Sequence, residues 1–169
     1  FPGKFSDATH QNCNSCDAGQ FTFVGTTATI CVDCAVGYYQ GEPTLHECKS
    51  CLEGYYQQEN VKPYCLPCSP GTHQDEKGQP SCNDCAAGRS QASPASADSN
   101  CPECNAGTYV DQTGQYSCDY CPEGKWSDEQ GLTFASNCKS CLAGTYSSAK
   151  GATTAKDCVK CPAGQYGTV

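Results

Sequence analysis

Cys138-Lys139-Ser140-Cys141-Leu142-Ala143-Gly144-Thr145-Tyr146, followed after a polar turn through Gly151 by Cys158-Val159-Lys160-Cys161-Pro162-Ala163-Gly164-Gln165-Tyr166, decides how this chain is read. The stretch spells C-x-x-C, two small or apolar residues, a glycine, a variable residue, an aromatic, a turn, and C-x-x-C again. The same order recurs along the chain, so the fold question is a question about repeats. C-x-x-C pairs stand at 13/16, 31/34, 48/51, 65/68, 82/85, 101/104, 118/121, 138/141 and 158/161, and all 18 cysteines belong to them. Between one pair and the next lie 13 to 16 residues.

Three residues after every second cysteine comes a glycine: Gly19, Gly37, Gly54, Gly71, Gly88, Gly107, Gly124, Gly144 and Gly164. A glycine at a constant offset from a cross-link implies a backbone with positive φ, or one too crowded for a Cβ. Two residues further on stands an aromatic in most units: Phe21, Tyr39, Tyr56, Tyr109, Trp126, Tyr146 and Tyr166, with His73 and Ser90 as the exceptions. We read this aromatic as the one large side chain per unit, covering the neighbouring disulfide. The alternative is an exposed aromatic on a short strand. The remainder of each unit is polar, often with a second glycine (Gly25, Gly41, Gly78, Gly114, Gly131, Gly151), the chemistry of turns between short extended segments. No window sustains a 3.6-residue apolar period, so helices are expected to be short or absent.

Composition excludes an ordinary globular core. The 169 residues contain no Met, one Trp and five Phe; Ile30 is the only isoleucine, and leucine occurs only at positions 45, 52, 66, 132 and 142. So few aliphatic side chains cannot bury enough apolar surface to offset the conformational entropy of folding. Covalent cross-links must do so. Ten Lys+Arg against 18 Asp+Glu leave a net charge of −8, which disfavours nucleic acid and anionic membranes as partners. No apolar run reaches the length of a membrane-spanning helix, and none resembles a signal peptide. An extracellular or cell-surface location is inferred from the dense, even set of cysteines.

Three pairing schemes are open. Bonds within each C-x-x-C would make nine redox motifs on a chain without the packed domain that such enzymes need. Four-cysteine zinc sites have the right ligands, but 18 cysteines would strand one pair. The favoured scheme bonds the second cysteine of each pair forward to the first of the next: Cys16–Cys31, Cys34–Cys48, Cys51–Cys65, Cys68–Cys82, Cys85–Cys101, Cys104–Cys118, Cys121–Cys138 and Cys141–Cys158. Each such loop of about 15 residues is worth roughly 3 kcal/mol in the chain-entropy model. The ladder leaves Cys13 and Cys161, whose partners are expected beyond the segment. Residues 1–12 read as a partial repeat, with Gly3 and Phe5 in the glycine and aromatic positions. Residues 13–161 are the tandem array, and 162–169 a second partial repeat. The chain is thus expected to be part of a longer repetitive polypeptide; a terminus made by proteolysis at Phe1 is the alternative.

Segments such as Cys101-Pro102-Glu103-Cys104-Asn105-Ala106-Gly107-Thr108-Tyr109 and Cys158–Tyr166 resemble the ephrin-receptor-like cysteine-rich repeat, a module similar to EGF and tumour-necrosis-factor-receptor repeats. The resemblance runs through essentially the whole chain. The proline directly after the second cysteine stands only at Pro122 and Pro162, so several units depart from the motif. The resemblance implies elongated, disulfide-stapled rods of the extracellular space, with little regular secondary structure and no catalytic residue.

Candidate chemistry is sparse. His10, His46 and His73 lie in different units without a partner at ligand spacing and read as solvated turn residues. The acidic doublets Asp75-Glu76 and Asp128-Glu129 lack a calcium-loop pattern and read as solvated charge. There is no nucleophile constellation, phosphate loop or metalloprotease motif. No Asn-x-Ser/Thr sequon occurs. Thr26-Thr27-Ala28-Thr29, Ser147-Ser148, Thr153-Thr154 and Ser90–Ser96 could carry O-linked glycans or be plain hydrophilic loops, and 90–99 is the expected flexible joint.

The sequence therefore predicts a small disulfide-rich fold: a tandem repeat rod or solenoid of short β-hairpins and irregular loops, with little or no helix. The leading function is structural, a fibre-forming or spacer segment of a surface appendage, coat or matrix. Its partners are copies of itself or other extracellular proteins, with no cofactor, no catalysis and no membrane insertion. A ligand-binding or adhesion ectodomain, or a protist-type surface antigen, is the competing reading.

Overall fold

In a computed structural model, residues 4–6, 12–23, 30–42 and 46–165 are described. Gly3, His10, Gly25, Thr26–Thr29 and Tyr166 lie outside them. The chain divides into two units, one of residues 1–69, 73–82 and 95–99, the other of residues 70–72, 83–94 and 100–169. It is a small disulfide-rich fold of short antiparallel hairpins in tandem, with two single 3₁₀ turns, Ala135–Asn137 and Ala155–Asp157, as its only helical residues among those described.

The hairpins follow from where the repeat puts its residues. In the first unit β1 (Lys4–Ser6) pairs with β2 (Cys13–Ser15), β3 (Gln20–Phe21) with β4 (Val32–Asp33), β5 (Tyr38–Tyr39) with β6 (Lys49–Ser50), and β7 (Tyr55–Tyr56) with β8 (Leu66–Pro67). Next in sequence come β9 (Thr72–His73) and β10 (Asn83–Asp84). In the second unit β11 (Thr108–Tyr109) pairs with β12 (Asp119–Tyr120), β13 (Lys125–Trp126) with β14 (Lys139–Ser140), and β15 (Thr145–Tyr146) with β16 (Val159–Lys160). From β3 onward, the first strand of each pair is the two residues after the repeat glycine. The second strand is the x-x of the next C-x-x-C.

That placement explains the cysteine spacing. Side chains along extended backbone alternate faces, so two cysteines three apart point to opposite sides. One can bond to the loop behind and the other to the loop ahead. Two-residue strands on their own are far too short to be stable, and the cross-links close each hairpin.

Stacking of hairpins supplies the rest. In the first unit the Gly19 N–H donates to the Gln40 carbonyl at 2.7 Å, and Gln40 N–H donates to Lys62 at 3.1 Å. In the second unit Gly88 N–H donates to Val110 at 2.8 Å and Val110 N–H to Leu132 at 3.0 Å. Each repeat is thereby tied to its successor. A further bond joins the same neighbours: Gly78 N–H to the Cys51 carbonyl in one unit, Gly131 N–H to that of Cys104 in the other, at 2.9 and 2.8 Å.

All nine repeat glycines have φ between +75° and +88°. Gly71 (φ +88°) shows why the position is glycine. A Cβ there would collide with the carbonyl of Gly114, two repeats ahead. A second left-handed position recurs seven residues after the repeat glycine, at Gly78, Gly114, Gly131 and Gly151. Val61 (φ 58°) and Ala95 (φ 56°) occupy that same position, where an L side chain is strained and a β-branched one most of all. Val61→Gly is expected to stabilise the chain by about 1 kcal/mol, a relief of left-handed strain partly offset by unfolded-state entropy, measured as a raised midpoint in denaturant.

The buried interior consists largely of half-cystines. Cys34, Cys51, Cys68 and Cys121 are completely buried. Around Cys121 and Cys138 pack Leu132 and the half-buried Tyr109, so this aromatic covers the disulfide of the following repeat. Tyr146 departs from the expected covering role and is 41 % exposed beside its cross-strand partner Val159. His73 also departs from expectation. It sits in the aromatic position, bridged to Ser96, and is buried rather than solvated. The 90–99 segment is divided between the two units, 90–94 in the second and 95–99 in the first. Ala95 N–H is bound to Cys68 and Ser96 O to Gln74 N–H, while Ser90 and Gln91 N–H groups are bound to Pro102 and Gln115.

Candidate functional site

The recurring site is the joint between repeats, and its centre is the second cysteine of each pair. The structure forms eight disulfides, Cys16–Cys31, Cys34–Cys48, Cys51–Cys65, Cys68–Cys82, Cys85–Cys101, Cys104–Cys118, Cys121–Cys138 and Cys141–Cys158. Their Cα–Cα separations are 5.7 to 6.0 Å, within the ordinary range. Cys13, exposed, and Cys161, half-buried, are free thiols. Cys51 shows the full set of attachments. Its Sγ bonds forward to Cys65, its N–H donates to Gly37 at 2.9 Å, and its carbonyl accepts from Gly78 at 2.9 Å. One residue thus links three repeats.

Sequence reasoning missed the other half of the joint. Gln40, Gln57 and Gln74, each three residues after the repeat glycine, are almost wholly buried although polar. The Nε2 of each donates to the carbonyl seven residues on, of Glu47, Tyr64 and Ser81, at 2.5, 2.8 and 2.8 Å. Each Oε1 accepts from the amide two residues on, of Glu42, Glu59 and Glu76, at 3.1, 3.0 and 3.0 Å. The side chain spans the inside of its loop, and its backbone carries the bonds to adjacent repeats. The signal was present as glutamine in the same position of four successive units, Gln91 included. Gln57→Leu keeps the volume but leaves the Tyr64 carbonyl and Glu59 amide without partners. It is expected to cost about 2–4 kcal/mol in chemical denaturation, with faster hydrogen exchange confined to the 54–65 loop.

The remaining candidates scatter. Nδ1 of His73 makes no hydrogen bond and lies 3.9 Å from the Asp75 carboxylate. His46 is exposed. Glu76 accepts from Gln79 Nε2 at 2.8 Å. Asp128 and Glu129 both pair with Lys139, at 2.7 and 3.0 Å, and the ammonium lies 5.1 Å from the Trp126 ring centroid. The Lys139 hydrogen bond, with the backbone amide second, holds the Asp128 carboxyl below its usual range. The hydrogen bonds that the Lys139 ammonium donates to Asp128 and then to Glu129 push its own pKa up. Asp157 is held low by the N–H groups of Thr154 and Thr153, which it caps at 2.9 and 3.0 Å. Among the described residues no three His, Cys, Asp or Glu are grouped to hold a metal ion. No described helix is long and apolar enough to cross a membrane. Of the expected glycan acceptors, Ser148, Thr153 and Thr154 are exposed, whereas Ser147 is buried and its hydroxyl faces the Ala149 carbonyl.

Two kinds of surface remain. Tyr39, Leu52, Tyr55 and Tyr64 line a small apolar cleft of about 230 Å³ against Cys65. The other kind is polar and lies in the second unit.

Among curated proteins no match was found. Residues 54–100, which carry the complete joint at Cys68 and the buried Gln57 and Gln74, match the family described as tyrosine-protein kinase ephrin type A/B receptor-like, so over that stretch the chain is similar to the ephrin-receptor-like cysteine-rich repeats.

Proposed function

We propose that this chain is a structural, non-enzymatic repeat segment of the extracellular space: a disulfide-stapled rod or fibre-forming part of a surface appendage, coat or matrix protein. The observation that carries this reading is the constancy of the joint. Successive repeats use the same disulfide, the same glycine-to-glutamine backbone bond and the same bond from the second cysteine's carbonyl to the next repeat. A scaffold needs such equivalence, whereas a site for one ligand needs a unit that differs. The cross-links also suit an oxidising compartment, and the acidic balance keeps nucleic acid away. Its partners are copies of itself or other extracellular proteins, and its exposed Thr153 and Thr154 are candidate glycan acceptors.

The second reading, a ligand-binding or adhesion ectodomain, is favoured by the Tyr39–Leu52–Tyr55–Tyr64 cleft, because an exposed apolar hollow is the usual form of a protein contact. Immunogold electron micrographs of the native material separate the two. Label running along filaments or a coat is expected; label on isolated particles or single membrane receptors would overturn the scaffold reading.

A further inference from the structure

Several charged side chains of the second unit form no ion pair among the described residues, and four of them line two hollows. Asp111 and Asp119 line an open hollow of about 220 Å³ together with Tyr116, which is 62 % exposed. Lys150 and Lys156 line another, larger hollow of about 510 Å³, with the half-exposed Val159 and with Ala149 and Ala152. All four are exposed, and none of them forms an ion pair with another described residue. Asp157 also borders the second hollow, but its carboxylate is engaged by the amides of Thr153 and Thr154.

We propose that these two hollows are the halves of one contact between copies of this chain. The acidic hollow of one copy, with Tyr116 as its protruding ring, docks on the lysine hollow of the next. The ring covers Val159, Asp111 and Asp119 face Lys150 and Lys156, and four unpaired charges find partners. This rests on the scaffold reading and gives it a mechanism of association. The two halves are different surfaces, so the contact is heterologous: each copy in a pair keeps one unused half, and growth continues unless the rotation closes a ring. Exposed ion pairs are each worth about 0–1 kcal/mol, and two hollows of this size bury far less than the roughly 1,000 Å² of a stable interface. A single contact is therefore weak and salt-sensitive, and becomes effective through repetition.

The test is a charge exchange on the purified chain, followed by sedimentation velocity at high protein concentration and low salt. The parent should self-associate and revert to monomer at about 0.5 M salt. Lys150→Glu/Lys156→Glu opposes acid to acid, and Asp111→Lys/Asp119→Lys opposes lysine to lysine, so each variant alone should stay monomeric. Mixed in equal amounts they are complementary at both contacts, and association should return to the parent level. The neutral pair Lys150→Gln/Lys156→Gln should abolish the salt dependence. Unchanged free-thiol content and circular dichroism verify folding. Self-association unaltered by either reversal, or a mixture that remains monomeric, overturns the contact. Neither result bears on the scaffold reading, which the micrographs test separately.

Discussion

Replacing Cys68 and Cys82 together by alanine is expected to destabilise the chain by about 3 kcal/mol, read as a lowered midpoint in guanidinium under non-reducing conditions. The loop they close has a sequence separation of 14, and no aliphatic core lies behind it to hold the loop when the bond is gone. Cys68 is completely buried, and its carbonyl accepts from Ala95 at 2.9 Å while its N–H donates to Gly54 at 2.9 Å. Loosening the 69–81 loop therefore also loosens the Gly54 and Ala95 turns, and hydrogen exchange should accelerate at all three. Exchange confined to 69–81 alone would show that the repeats are independent and that the joint has been over-read. Complete reduction of all eight bonds should unfold the chain outright, because hairpins of two-residue strands cannot persist without them.

Gly71→Ala is expected to cost about 3–4 kcal/mol, and Gly124→Ala only about 1–2 kcal/mol. Both glycines have strongly positive φ, +88° and +75°. Each alanine therefore carries the left-handed penalty of an L residue. They differ in what surrounds them. A Cβ at Gly71 would overlap the Gly114 carbonyl, a backbone atom that cannot rotate away, whereas one at Gly124 would meet no described residue within 4 Å. The difference between the two variants in thermal or chemical denaturation isolates the contact between alternate repeats from the local turn. Equal losses would mean that the glycine is conserved in pattern for its dihedral angle alone and that alternate repeats do not press on one another.

Much of this molecule is legible in one line of its sequence. The class, a disulfide-rich series of short hairpins with almost no helix, follows from the C-x-x-C spacing, the glycine offset and the scarcity of aliphatic residues. These are short-range features, and the physics behind them is local: alternation of side chains across two residues, a dihedral that only glycine adopts without cost, and a core too small to fold alone. The glutamines at 40, 57 and 74 were legible as a pattern but not as a role. Nothing in composition separates a buried glutamine that spans its loop from a solvated one.

What only the tertiary structure decided is which repeats touch. Gly71 meets Gly114 and Gly19 meets Val61 across more than forty residues, because stacked hairpins bring every other turn into register. No periodicity in the sequence reports that distance. The same stacking buries His73 at a position where its polarity predicted solvent and packs Tyr109 over the disulfide of the following repeat. Those outcomes depend on the loop that passes over a residue, and that loop belongs to another repeat. The sequence by itself determined the repeat and its cross-linked frame; the tertiary structure decided the contacts between repeats, because they are set by main-chain hydrogen bonds that do not depend on the identity of the side chain.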